Sequence, residues 1–321
     1  MIYRNILIDS SNLFYRLQRK NDSCKSAVKR MITFVEETTM AHLSPDGTVY
    51  LLFDPVAQDD LGESKSFEVT SYRKMLSRDY KCNRTHSPIF KSTINLFMKY
   101  FAYRGEKIKL VYSQMFEADD YVEPLLEKLT EGERALVSND EDWARYIDDR
   151  TFLISKGYDE PFDRQDFYNK FKFYPTPAAN TLYKAIYGDK SDNITGCIFM
   201  KKAKFITNIK KTAYDYIKWV SENDTTLDEI ERAFSDTTMK EVNNKTEEKT
   251  PFDILFSEFS IASQKENVLG KFQLNIKLIK SQLQGKDVTQ FVHWNEERQK
   301  YNEVIRQSIY GLNMKSWFGK V

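Results

Sequence analysis

The sequence predicts an α/β fold, with a central, mostly parallel sheet flanked by helices over residues 1–188 and a helical region over 189–321. Three observations carry this expectation. Short apolar runs of strand length alternate with amphipathic stretches of helix length. The apolar runs are continuous, as in strands covered on both faces. The strand signal then fades near residue 188. Strand-helix alternation of this kind builds a parallel sheet between two helical layers.

In chain order, strands are expected at 6–8, 49–53, 108–112, 135–137 and 152–154, each a short run rich in Ile, Leu, Val and aromatic residues. Helices are expected at 25–42, 89–103, 119–129 and 141–147, where apolar residues recur at helical spacing. Pro124 lies inside the third of these and should kink it or delay its start. Helical character returns at 201–220, 226–233, 253–263 and 295–310, while 221–250 is polar and poor in aromatics, as a mobile surface connection would be. No internal repeat is visible.

Composition narrows the class. The 321 residues are 41% hydrophobic and 14% aromatic, enough for a real core and too apolar for disorder. Mean hydropathy is −0.59, and no 18-residue apolar run stands as a membrane span. The opening MIYRNILIDSS enters a strand-like run without the features of a secretory signal, and the three cysteines (Cys24, Cys82, Cys197) lack paired or zinc-type spacing. A cytoplasmic setting with reduced thiols is therefore expected. His42, His86 and His293 share no spacing, so no catalytic histidine is assigned.

The net charge of +1 conceals a strong asymmetry. Residues 71–109 hold ten basic residues against two acidic, and residues 117–166 hold sixteen acidic against six basic. Either run alone suits a solvated face. Side by side they suit a polyanion gripped by cations and cut by metals held on carboxylates.

The acids fall at strand ends. Asp9 closes ILID and Asp54 closes LLFD; Glu117, Asp119 and Asp120 follow the third run in FEADD; Asp140 and Asp142 follow the fourth in SNDED. In an open parallel sheet the carboxyl ends of the strands share one rim, where sites form. One Asp there is commonly a helix cap. Four acidic groups at four strand ends repel one another unless cations lie between them, and ligation by oxygen alone selects hard ions such as Mg²⁺ or Mn²⁺. Asp189 and Asp192, in GDKSDN, sit three apart and can face the same way, although a plain turn explains that string equally well.

Taken in order, ILIDSSNLFYR, LLFDP, DYKCNR, EADD, VSNDEDW and GDKSDNITG resemble the 5′ nuclease superfamily of flap endonucleases and 5′ to 3′ exonucleases, with a PIN-like core. The strings span about 60% of the chain. Length and the absence of a fused polymerase make it most similar to stand-alone bacteriophage members, including the ribonuclease H that removes RNA primers. The resemblance implies two or more bound ions. Asp9, Asp54, Glu117 and Asp119, with Asp120 beside them, match positions around a first metal; Asp140, Asp142, Asp189 and Asp192 match those around a second. It implies a substrate of DNA with a 5′ flap, fork or nick, or an RNA-DNA hybrid, and a role in replication or repair in a host cytoplasm. Lys81 and Arg84 match basic residues that steer the scissile phosphate, and Tyr80 beside them is a candidate for stacking on a base. Arg73, Lys74 and Lys91 are read as solvated.

Two departures qualify the match. The arch region between Arg84 and Glu117 is short, and the glycine-containing hairpin expected after GDKSDN, part of a helix-turn-helix-type duplex-binding motif, is replaced by Gly196-Cys197-Ile198-Phe199-Met200. Lys201, Lys202 and Lys204 are candidates for holding duplex phosphates in its place. A partner such as a single-strand-binding protein or a sliding clamp is also considered, with Trp317 and Phe318 as a possible docking peptide against the plainer reading of helix-end packing. A PIN-type ribonuclease and a non-catalytic junction-binding replication factor are the rival functions.

Overall fold

The computed structural model describes residues 1–55, 70–104, 107–197, 204–236 and 267–293, with isolated positions between 254 and 259. Six strands form one sheet: β1 (Tyr3–Asp9), β2 (Leu43–Leu52), β3 (Ile108–Val111), β4 (Arg134–Val137), β5 (Thr151–Leu153) and β8 (Val292–His293), in the order β5-β4-β1-β2-β3-β8. The first five pair in parallel, with Ile8 opposite both Leu51 and Val137. β8 adds an antiparallel edge, Leu110 facing His293. All five expected strands are present; the two-residue β8 is too short for any periodicity to announce.

The strands divide their side chains between two cores. Ile6, Ile8, Val49, Leu51, Ala135 and Val137 enter one cluster, and Leu7, Tyr50, Leu52, Leu136 and Leu153 enter the other. This two-sided burial explains why the strands read as continuous apolar runs. The first face is covered by α1 (Ser10–Leu17), α2 (Cys24–Thr33) and α4 (Phe90–Arg104), with Met31, Ile32, Phe97 and Phe101 fully inside. The expected helix at 25–42 is α2 continued by a π-helical turn (Phe34–Thr39) and a 3-10 turn (Met40–His42). Between β2 and α4 lies α3 (Tyr72–Leu76).

The second face receives α5 (Val122–Lys128), α6 (Arg164–Phe171), α7 (Pro177–Tyr187), α8 (Lys204–Glu222), α9 (Leu227–Asp236) and α10 (Val268–Ile279). The cluster beneath them runs from Leu7 and Leu136 to Phe272 and Ile276 without a break. Pro124 acts as expected. A 3-10 turn (Ala118–Tyr121) occupies the expected first turn, and α5 starts at Val122, which leaves Pro124 in its first turn, where backbone N–H groups have no helical partner anyway. The expected helix at 141–147 is a 3-10 helix (Glu141–Tyr146). The segments expected at 253–263 and 295–310 lie largely or wholly outside the described residues.

A two-strand hairpin, β6 (Gly188–Asp189) and β7 (Ile194–Thr195), presents the last acids. Gly188 has φ +88°, and a Cβ there would lie 2.4 Å from the Gly196 nitrogen. Gly188→Ala is expected to cost about 2 kcal/mol or more, because both the backbone conformation and the contact forbid the methyl. Urea unfolding would measure this, and an unchanged midpoint would refute it.

Candidate metal centre

The strand-end acids are fixed by the turns and helix starts at the rim. Asp9 caps α1 by accepting from the Asn12 N–H at 2.9 Å and also accepts from the Ser138 hydroxyl at 3.3 Å. Asp54 accepts from the Ser11 hydroxyl at 2.6 Å and the Ala118 N–H at 3.3 Å, which ties β2 to the starts of α1 and the FEADD turn. Asp140 caps the 3-10 helix through the Asp142 N–H at 2.9 Å. Capping and site formation therefore coincide, as the N–H groups of a first turn favour carboxylates.

Around the FEADD turn, three carboxylates meet one guanidinium. Arg73, 1% exposed, donates from Nη1 to Glu117 Oε2 at 3.1 Å and to both Asp119 oxygens at 3.0 Å, and from Nη2 to Asp120 Oδ1 at 2.7 Å. The expectation that Arg73 is solvated is thus wrong. The sequence predicts no helix at α3, and its local sequence carries no sign that α3 packs over FEADD. Asp120 points inward: Oδ1 also accepts from the Gln282 N–H, and Oδ2 accepts from the Glu117 N–H in a reciprocal capping box.

The second group gathers on the β6–β7 hairpin. Oxygens of Asp142, Asp189 and Asp192 lie within 4.8 Å of one another. Asp189 accepts from the Ser191 N–H at 2.8 Å and hydroxyl at 2.6 Å. Lys184 on α7 pairs with Asp189 at 2.7 Å and with Asp142. Nothing in the sequence singled out Lys184, since one lysine in the last turn of a helix is ordinary.

The basic loop joins the two groups. Lys81 Nζ lies 2.5 Å from Glu117 Oε2 and 3.7 Å from Asp192 Oδ2, and Arg84 pairs with Asp192. The Lys81 N–H donates to the Asp192 carbonyl at 2.9 Å. Tyr80 is 2% exposed, with its hydroxyl 3.0 Å from Glu117 Oε2 and 2.9 Å from Asp192 Oδ2. A ring so enclosed has no free face for a base, so the stacking role considered for Tyr80 gives way to a bridging one. Lys201 and Lys202 lie outside the described residues, as do Trp317 and Phe318; Lys204 opens the backbone of α8 and its side chain is not described.

Electrostatics show a surplus of negative charge. Burial, together with Asp54, pushes Asp9 up to about 8. Burial likewise raises Asp140 despite Lys184 and Lys81, and Asp192 despite Lys81 and Arg84. Burial dominates again at Asp120, where Asp119 and Glu117 add to it and Arg73 only partly compensates, leaving it at about 7. Glu117 and Asp119 go the other way. Burial is outweighed at Glu117 by Lys81 and Arg73, and at Asp119 by Arg73, Lys81 and Arg145, so both stay below ordinary carboxylate values. Carboxylates raised chiefly by burial would ionise more readily if divalent cations entered, and an all-oxygen donor set suits Mg²⁺ or Mn²⁺. The residues present fit such ions.

Solved structures share this chain's architecture. A crystal structure of a variant bacteriophage T5 flap endonuclease, in a pseudo-enzyme-product complex with DNA and metal ions, matches with a TM-score of 0.50 and 17% identity over 94% of this chain and 98% of that one. The zinc-bound T5 5′-exonuclease matches at 0.49 and 19%, over 95% and 99% of the two chains. The catalytic core of Rad2 with DNA substrate matches at 0.43 and 10%, over 96% and 91%. The first likeness shows the fold, a central sheet flanked by helices that this chain shares with that flap endonuclease. No protein-family model and no curated protein matches the chain.

Two outcomes follow. Arg73→Ala leaves three buried carboxylates short of their cation and should cost about 3–5 kcal/mol in urea unfolding, against about 0.5 kcal/mol or less for Lys74→Ala; equal effects would contradict the assignment. Asp9, protonated up to about 8 when folded and ordinarily titrating near 3.8, contributes stability that is present at low pH and lost as pH rises through 8. The Asp9 contribution to the melting temperature in EDTA should therefore fall as pH rises from about 4 to about 8 and level off above, and Mg²⁺ binding near pH 8 should release protons in calorimetry. A flat profile without proton release would disprove the coupling.

Proposed function

We propose that this chain is a divalent-metal-dependent 5′ nuclease that hydrolyses phosphodiesters of DNA bearing a 5′ flap, fork or nick. One observation carries the proposal: nine carboxylates and the Lys81–Arg84 pair converge where β1, β2, β3 and β4 end, on the fold of a flap endonuclease. Asp9, Asp54, Glu117 and Asp119 would hold one ion, and Asp140, Asp142, Asp189 and Asp192 a second. Bound Mg²⁺ or Mn²⁺ would activate the attacking water and neutralise charge on the departing oxygen. The water oxygen bonds to phosphorus, the bond from phosphorus to the 3′ oxygen breaks, and the products carry a 5′ phosphate and a 3′ hydroxyl.

The protein's own cations orient the substrate. Lys81, with its side chain 16% exposed, sits between Glu117 and Asp192, and Arg84, 39% exposed, flanks Asp192 from the solvent side. An incoming phosphate meets Arg84 first and Lys81 deeper in, and each can donate to its non-bridging oxygens. The Tyr80 hydroxyl between Glu117 and Asp192 holds the two acidic groups in register. Lys201, Lys202 and Lys204 are proposed to contact duplex phosphates. The same centre is proposed to act on the RNA strand of RNA-DNA hybrids, which suits primer removal in replication.

Labelled 5′-flap and RNA-DNA hybrid duplexes, incubated with Mg²⁺ and the wild type, Asp119→Ala and Asp189→Ala proteins, test this reading. Wild-type cleavage lowered at least about 100-fold in both variants is expected. Equal cleavage by all three would refute the site, flap binding without product would favour a junction-binding factor, and cleavage of single-stranded RNA alone would favour a PIN-type ribonuclease.

A further inference from the structure

The acids of FEADD are held from the far end of the chain. α10 ends at Ile279, and the carbonyls that a helix leaves unpaired at its C-terminus need donors. Two buried arginines supply them: Arg145 Nη1 donates to the Ile279 carbonyl at 2.9 Å, and Arg73 Nη2 donates to the Lys280 carbonyl at 3.3 Å. The negative end of the helix dipole thus faces the guanidinium that holds Glu117 and Asp119. The next two residues engage Asp120. The Ser281 hydroxyl donates to the Asp120 carbonyl at 3.0 Å, and the Gln282 N–H donates to Asp120 Oδ1 at 3.0 Å.

The segment then turns back along the sheet. Phe291 packs against Phe116 and Tyr121, with ring centroids 5.7 and 5.8 Å apart, so it brackets FEADD on both sides. The Tyr112 N–H donates to the Phe291 carbonyl at 3.2 Å, and β8 pairs with β3, the strand that leads into FEADD. Asp120 is 1% exposed, and both of its oxygens are occupied by protein donors.

We propose that residues 279–293 form a clamp that sets the geometry of the first metal-holding group, with Asp120, Ser281, Gln282 and Phe291 as positioning residues. On this assignment Asp120 is not a metal ligand. Its carboxylate transmits the position of the α10 terminus to Glu117 through their capping box and to Asp119 through Arg73. This deepens the proposed function and rests on it for the identity of the bound ion.

The test uses the full chain with Ser281→Ala, Phe291→Ala and, as a stability control on the opposite face of the sheet, Val28→Ala. The Ser281 hydroxyl donates to the Asp120 carbonyl, and the Phe291 ring packs on Phe116 and Tyr121, so neither variant removes a carboxylate. Mg²⁺ and Mn²⁺ affinities are measured by calorimetry well below each melting temperature, together with kcat at saturating metal on the flap substrate. The expected result is a weakening of metal affinity on the order of tenfold in both clamp variants, kcat largely recovered at saturating metal, and unchanged affinity in the control. Clamp variants that lose stability as the control does but keep wild-type affinity would overturn the clamp while leaving the nuclease reading intact. A weakened affinity in both clamp variants, with a wild type that cuts nothing, would uphold the clamp and sink the nuclease reading. A wild type that binds neither ion would overturn both.

Discussion

Carboxylates buried close to one another set the constraint on which this molecule depends: burial, with repulsion from neighbouring acids, raises Asp9 and Asp120. These carboxylates meet because four parallel strands end on one rim and the β6–β7 hairpin folds onto it, and the main local structures around them serve to make that meeting tolerable. Arg73 is the most deeply buried answer, binding Glu117, Asp119 and Asp120 at once with 1% of its surface exposed. Lys184 does the same for Asp142 and Asp189, and Lys81 and Arg84 for Glu117 and Asp192. These cations do not suffice, since Asp9, Asp120, Asp140 and Asp192 all remain raised. A buried charge without full compensation is costly, and a divalent ion is the economical remedy.

The two acidic groups are not independent. Tyr80 and Lys81 touch both Glu117 and Asp192, and the loop around them is bonded to the hairpin through its backbone: the Lys81 N–H to the Asp192 carbonyl, and the Asn193 amide to the Asp79 carbonyl. Lys81 and Asn193 both adopt positive φ, a strained conformation that such bonding sustains. A substrate phosphate engaging Lys81 or Arg84 would therefore act on both groups together.

Several corrections share one cause. Arg73, Tyr80 and Lys184 each belong to a residue type with an ordinary local role, and each acquired its place through a neighbour distant in the chain. Asp120 and Asp119 are adjacent and chemically identical in sequence. A capping box and the Gln282 N–H turn one inward, while the other keeps 18% of its side chain open. The capping box is local, at the Glu117 to Asp120 spacing, whereas the second donor that fixes Asp120, the Gln282 N–H, lies 162 residues away in the chain.

By itself the sequence determined the class of sheet, the strands and the rim on which the acids fall, because burial on two faces writes continuous apolar runs and strand ends carry capping acids. It also limited the candidate ligands to carboxylates, whose oxygens favour hard cations. The tertiary structure alone decided which cations the acids would meet, that Tyr80 bridges and does not stack, and that the chain's late segment returns to pair β8 with β3 and to seat α10 against Arg73 and Asp120. Those outcomes depend on packing between segments whose local sequences are unremarkable, and local physics carries no record of a distant partner.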